Sequence, residues 1–361
     1  MEESKQIQKA GANATQFQAQ TVNFYEGITE EKAKEIFWQQ NDLAMQEYSQ
    51  EAIKTANERV GKLEAQLLPR ISQLENALPA FADPAFQMLL KKAQLSAAAS
   101  EREDDYKLLS ELLVCHIQKG NDRKNRAGIK QAIQIVDDID NEALCGLTIF
   151  HAIDHFFPVE GMIKPGLKIL DDLFSKLLYL DLPLGKSWID HLDLLGAVRA
   201  TSFSTFSRLE DLYAKTLSGY VCAGIRVESD EFYKALQILK QEHINLNILV
   251  PNECLDGYAR IAIINAAYID ELYKININGK RMLSDSEKKA LRNIMNLYTT
   301  DNTLINQAKS NFKELWDSFQ SLHKIRIWWS SIPMGFEITQ SGIVLAHTNA
   351  KRCDPSLPDL I

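Results

Sequence analysis

The sequence predicts an all-α fold: a multi-helical array with a short β-like N-terminal segment and a small C-terminal strand–helix element. Three observations carry that expectation. Apolar residues recur at three- and four-residue spacing through most of the 361 residues. Capping residues stand repeatedly ahead of those runs. Period-two alternation, the mark of a strand, is confined to a few short stretches.

The β-like segment comes first. Gly11-Ala12-Asn13 reads as a turn, after which Gln16, Gln18 and Gln20 alternate with Phe17, Ala19 and Thr21. Val22 and Phe24 then shift the apolar parity, as a bulge or a strand buried on both faces does. A lone hairpin is marginal in water, and the residues after it read as helix, with no second β-rich region to receive it. Pairing with the same segment of sister copies would satisfy its open edges. Residues 1–28 are therefore expected to join copies of the chain through Gln16, Phe17, Gln18, Val22 and Phe24, as a dimer or tetramer. The alternative is a disordered Gln-rich tail.

A long helical stretch comes next, capped by Thr29 with Glu30 and Glu31 in its first turn. Val60, Leu63, Leu67, Ile71, Leu74 and Leu78 form a heptad-like seam that needs a partner helix, in this chain or another. Pro69 interrupts the seam, and an interior proline costs about 3 kcal/mol, so a kink or a new helix is expected there. Asp83-Pro84 opens the next helix. Ser100 and Glu103 have capping-box spacing, and Gly120 closes that helix.

Further helices are expected to open near Asn141, Pro165, Ser229, Pro251, Ser284 and Asn302. The one after Pro251 should run to about Tyr273, and the last long one from Asn302 to Leu322. Strand signals remain at Ile244–Val250 and Lys324–Ile327. The length suits about two domains. After residues 1–28, the expected units are a long-helix and helical-hairpin region, 29–120, and an α-helical domain, 121–361. The loop near Gln118–Arg126 divides them, and Asn276–Ser284 is a second candidate boundary.

Composition narrows the classes. A net charge of −8 disfavours a general nucleic-acid binder without excluding a local basic patch. The five cysteines, Cys115, Cys145, Cys222, Cys254 and Cys353, are scattered and form no C-x-x-C pair, which suits a reducing compartment. The opening residues lack an apolar signal core, and Ala143–Ile153 is too short to span a bilayer. A cytoplasmic protein without a membrane partner is expected.

Each candidate chemical motif has a structural counterpart. His151 and His155 stand four apart on one helix face and suit metal chelation, yet no third ligand is identifiable. Gly185-Lys186-Ser187 resembles the end of a phosphate loop, but Leu180 stands where its first glycine belongs, so Gly185 reads as a helix C-cap. The Asp137–Glu142 cluster lacks the glycine turn of a calcium loop. Asp190-His191-x-Asp193 offers a His–Asp pair without a nucleophile turn. Lys119–Lys130 carries five basic residues and one acid, which suits contact with phosphate or an acidic partner, or a solvated loop. No coherent catalytic set, cofactor site or metal site emerges.

The C-terminal segment His323–Arg352 carries Lys324, Arg326, Lys351 and Arg352 against Glu337 alone, a balance of 4 − 1 = +3. It holds Trp328-Trp329 and a short strand–helix close capped by Thr339 or Ser341. Such an end occurs in small winged-helix modules, where basic residues touch phosphate. The counterpart reading is a closing element whose tryptophans complete the core.

Three stretches together resemble an uncharacterised bacterial family of soluble, mostly helical proteins. They are Gly11-x-Asn13-x-x-Gln16-x-Gln18 followed by Gly27-Ile28, the Asp105-x-x-Leu108-Leu109-x-x-Leu112-Leu113 helix ahead of Lys130-Gln131-Ala132-Ile133, and Ile338-Thr339-x-x-Gly342-x-x-Leu345-Ala346. The resemblance covers most of the chain and implies no activity and no catalytic residues. Similar Gly-Asn-Gln openings are associated with bacterial defence-like proteins.

The leading expectation is thus a non-enzymatic, homo-oligomeric helical protein acting by partner binding. The alternative is a sensor or effector in bacterial anti-phage defence that touches nucleic acid through the basic C-terminal segment. A third is an enzyme with a dispersed site.

Overall fold

The computed structural model describes residues 28–45, 50–74, 77–119, 122–201, 204–276 and 279–360. The segment expected to join copies, with Gln16, Phe17, Gln18, Val22 and Phe24, lies outside the described residues, as do Gly120, Asn121 and Asn278.

The first helices pack against one another. Helix α1 (Glu30–Ala44) is capped by Thr29, whose hydroxyl accepts from Lys32 N. Helix α2 (Gln50–Gln73) runs unbroken through Pro69. Its seam explains why: Val60, Leu63, Leu67 and Ile71 are fully buried, and that burial outweighs the one lost backbone bond. The partner helices the seam needs lie in this chain, as α3 (Pro84–Ala99) and α4 (Glu103–Lys119).

Asp83 caps α3. Ser100 does not form the expected capping box. Its hydroxyl accepts from Arg102 N and is bonded to the buried Asp105 carboxylate, so α4 opens only at Glu103. The stretch read as a loop after Gln118 is largely helical. Asp122 accepts from Lys124 N and Asn125 N and starts α5 (Arg123–Gln134). With short connections on each side, α3, α4 and α5 pack against one another.

Helix α6 (Asn141–His155) is capped by Asp140 and is buried along most of its length. Helix α7 (Ile163–Leu177) begins ahead of Pro165, which sits in the first turn where no backbone N–H has a helical partner. Gly185 is not its C-cap: Leu178 is, and Gly185 turns the later connector with a φ of 71°. Helix α8 (Ser187–Leu194), strand β1 (Val198–Thr201) and helix α9 (Leu209–Thr216) follow.

A smaller core of its own comes next. It is built from β2 (Ile225–Arg226), α10 (Asp230–Gln241), β3 (Leu249–Pro251), β4 (Tyr258–Ile261) and α11 (Asp285–Met295), and the strands β5 (Tyr273–Asn276) and β6 (Gly279–Met282) precede α11. The α-helix expected from Pro251 to Tyr273 is therefore replaced by strand β4, turns and a short 3-10 helix, Ala266–Glu271. Asn252 folds the chain by accepting from Cys254 N, and Gly257 adopts a φ of 76°, so helix cannot propagate. The strands pair antiparallel, in the order β2-β4-β3 and as the separate pair β5-β6. Ser284 and Glu287 form the expected capping box at α11.

Arg260 fastens this unit to the main core. It is fully buried, stacks on Tyr220, and donates to the carbonyls of Gly219, Ile261 and Gly161.

The C-terminal elements return to the main core. Helix α12 (Asn302–Asp317) ends before Leu322, and α13 (Gln320–Ser331) takes over. The strand expected at Lys324–Ile327 is part of α13, because Ile325, Trp328 and Trp329 bury at helical spacing. The two indoles donate to Pro183 O and Ser207 O, both at 2.9 Å, and join Phe150, Trp188 and Phe336 in an aromatic cluster. The strand–helix close is present as β7 (Gly335–Ile338) and α14 (Gln340–Cys353), capped by Thr339. Strand β7 pairs antiparallel with β1, Val198 opposite Ile338. Helix α14 then lies across α4, α5 and α6. The chain is predominantly helical, and among the described residues no helix is long and apolar enough to cross a membrane.

Candidate functional site

The cations expected to meet phosphate are all occupied by this chain's own groups. Lys324 pairs with Asp181 at 3.0 Å. Arg326 is mostly buried and grips Asp317 with two bonds of 2.6 and 2.7 Å. Lys351 pairs with Asp359. Arg352 lies over the Tyr179 ring, reaches Asp104 at 2.8 Å and donates to Asn349. That last network closes a small pocket between α4, α6 and α14, where Asn349 in turn donates to Thr148 and Tyr179. Burial pushes the Asp105 carboxyl there above the usual carboxylate value.

His151 and His155 do not converge on a shared point. His347 Nε2–H donates to Pro358 O at 2.9 Å, which leaves His347 Nδ1 as an acceptor. His151 Nε2–H fills it at 3.3 Å, so both rings are neutral and the remaining His151 Nδ1 is buried without a partner. His155 instead donates to the backbone oxygen of His151 and stacks on its ring. Burial, helped by the neighbouring rings of His155 and His347, pushes His151 down to about 3. Among the described residues no group of three or more His, Cys, Asp or Glu is placed to hold a metal. His191 likewise serves the backbone, accepting from Asp140 N at 3.1 Å.

The basic run that begins at Lys119 behaves differently. Helix α5 presents Arg123, Arg126, Ala127 and Lys130 at i, i+3, i+4 and i+7, a single stripe. Helix α3 presents Ala85, Met88, Leu89 and Lys92 at the same spacing. The two stripes face one another across an open cleft of about 400 Å³ whose lining includes His116 of α4. One wall is mainly apolar and the other mainly cationic.

No carboxylate among the described residues pairs with Lys92, Arg123, Arg126 or Lys130. The nearby acids Asp83 and Asp122 are engaged as helix caps. Lys92 is held below the usual lysine value, first by burial and then by repulsion from Lys130. That repulsion places Lys92 and Lys130 at the same end of the cleft. His116 lies near the other end, close enough to feel both Asp83 and Arg126. It is more than nine-tenths buried and its Nδ1 has no partner. Burial is the main cause that lowers its pKa, so it is neutral at pH 7.

Met88 is 66% exposed at the lip of the cleft, an unusual position for a large apolar side chain beside four cations. Sequence reasoning found Arg123, Arg126 and Lys130 within the basic run but missed Met88, Lys92 and His116. The α3 spacing was the available signal for the first two; nothing local marks His116.

Neither the curated proteins nor the solved structures contain a match to this chain. A family model does match, across residues 27–358, which is most of the length and includes the cleft and every described helix that builds it. The chain belongs to that uncharacterised family.

Proposed function

We propose that this chain is a non-enzymatic, homo-oligomeric binding protein that engages an anionic partner through the α3–α5 cleft. One observation carries the reading: four uncompensated cations line one open cleft on a protein whose net charge is −8. Like charges gathered without partners cost free energy, and an incoming anion relieves that cost while steering its own approach. The C-terminal cations support contact with nucleic acid less well, because each already has a carboxylate. Assembly through residues 1–28 remains part of the proposal on sequence grounds.

Titration of the full chain with labelled polyglutamate tests the cleft. Binding should weaken as salt rises, and the double variant Arg126→Glu/Lys130→Glu should abolish it. Unchanged binding by that variant would remove the cleft from the proposal. Light scattering of the chain with and without residues 1–26 tests assembly; a monomer in both cases would end that part.

A further inference from the structure

Resting on that reading, we infer that the occupant of the α3–α5 cleft is an acidic amphipathic helix of a protein partner. The shape of the walls leads there first. Each wall is a helical stripe at i, i+3, i+4 and i+7, which spans about 10 Å at 1.5 Å per residue. Two such ridges with a groove between them are the seat into which a third helix packs. An amphipathic helix laid in a groove presents the same spacing from its own side.

The chemistry of the walls then selects the helix. Met88 and Ala85, the exposed apolar residues of that wall, ask for an apolar stripe, since a purely ionic ligand would leave them uncovered. Arg123, Arg126 and Lys130 ask for carboxylates along one flank of that stripe. Arginine grips a carboxylate with two parallel bonds. His116, with a ring nitrogen buried and unpaired beneath the groove, offers a further polar contact at one end.

A nucleic-acid strand fits less well. It would satisfy the cations, but single strands also seek aromatic platforms, and the cleft lining has no Phe, Tyr or Trp. Charge and surface together therefore favour a peptide with leucines on one face and glutamates beside them.

Fluorescence anisotropy with the full chain tests the inference. The probe is a labelled helical peptide with leucine at i, i+3, i+4 and i+7 and glutamates along one flank. Its control has the same composition in scrambled order. The patterned peptide should bind about tenfold or more tightly than the scrambled one, and Met88→Glu or Arg126→Glu should each weaken it by about tenfold. Met88 and Arg126 are not core residues, and an unchanged urea midpoint would confirm that each variant still folds.

Equal affinity for both peptides, still lost on Arg126→Glu, would overturn the helical occupant and leave anionic recognition standing. So would a single-stranded oligonucleotide that displaces the patterned peptide at lower concentration. Binding of the patterned peptide that survives both substitutions would overturn the inference and the cleft reading together.

Discussion

Lowering the pH should destabilise this protein through His151 before most carboxylates titrate. The ring is fully buried on α6, and burial is the main reason its pKa falls to about 3 from the usual 6.5. The folded value lies below the unfolded one, so the unfolded chain takes up the proton first and acid favours unfolding. The contribution is fully present above pH 6.5 and drains away as pH falls toward the folded value. Between about pH 7.5 and about pH 5, the loss integrates to about 2 kcal/mol for this one group. His116 and His347 are also lowered by burial and add to the loss, whereas the raised Asp105 opposes it.

A matched variant isolates His151 from these other groups. His151→Gln retains a donor near Nε2 for His347 Nδ1 but cannot titrate. Urea denaturation at both pH values should show the natural chain losing about 2 kcal/mol more than the variant. Parallel losses in the two proteins would refute the assignment of a buried, neutral His151.

Other substitutions report on packing. A methyl group at Gly342 would sit 2.0 Å from Ala197 O, where the first turn of α14 meets the start of β1. Gly342→Ala should therefore cost at least about 2 kcal/mol in chemical denaturation. Leu67→Ala empties a fully buried position of the α2 seam and should cost about 2–5 kcal/mol by the same measurement. Arg326→Ala leaves Asp317 without its two-bonded partner and should cost about 3 kcal/mol, read as a lower urea midpoint. Burial raises Cys145 and Cys222 to about 11 and Cys254 to about 12, so these thiols should react with a disulfide reagent at neutral pH only once urea unfolds the chain.

Much of the helical framework was legible because its signals are local. Thr29, Asp83, Ser229 and Ser284 each cap the helix expected after them, and each does so through a side chain within three residues of its target. The α2 seam was legible for the same reason: four residues at heptad spacing share one face whatever lies opposite. Where the local signals were short or mixed, distant packing decided. Lys324-Ile325-Arg326-Ile327 alternates like a strand, yet the burial of Ile325 beside Trp328 and Trp329 makes it helix. The stretch after Pro251 carries apolar residues at helical spacing, yet Asn252, Gly257 and the buried Arg260 turn it into a sheet.

The sequence by itself determined the helical class, the N-caps at Thr29, Asp83, Ser229 and Ser284, the seam and the presence of two basic stretches. It did not decide which of those stretches is available to a partner. Lys324, Arg326, Lys351 and Arg352 are compensated by Asp181, Asp317, Asp359 and Asp104, the first and last of these more than 140 residues from their partners. Arg123, Arg126 and Lys130 meet Lys92 and Met88 of another helix instead of an acid. Charge compensation and cleft shape depend on separation in space, and capping and periodicity on separation along the chain. That is why the helices could be read from the sequence, while the site needed the fold.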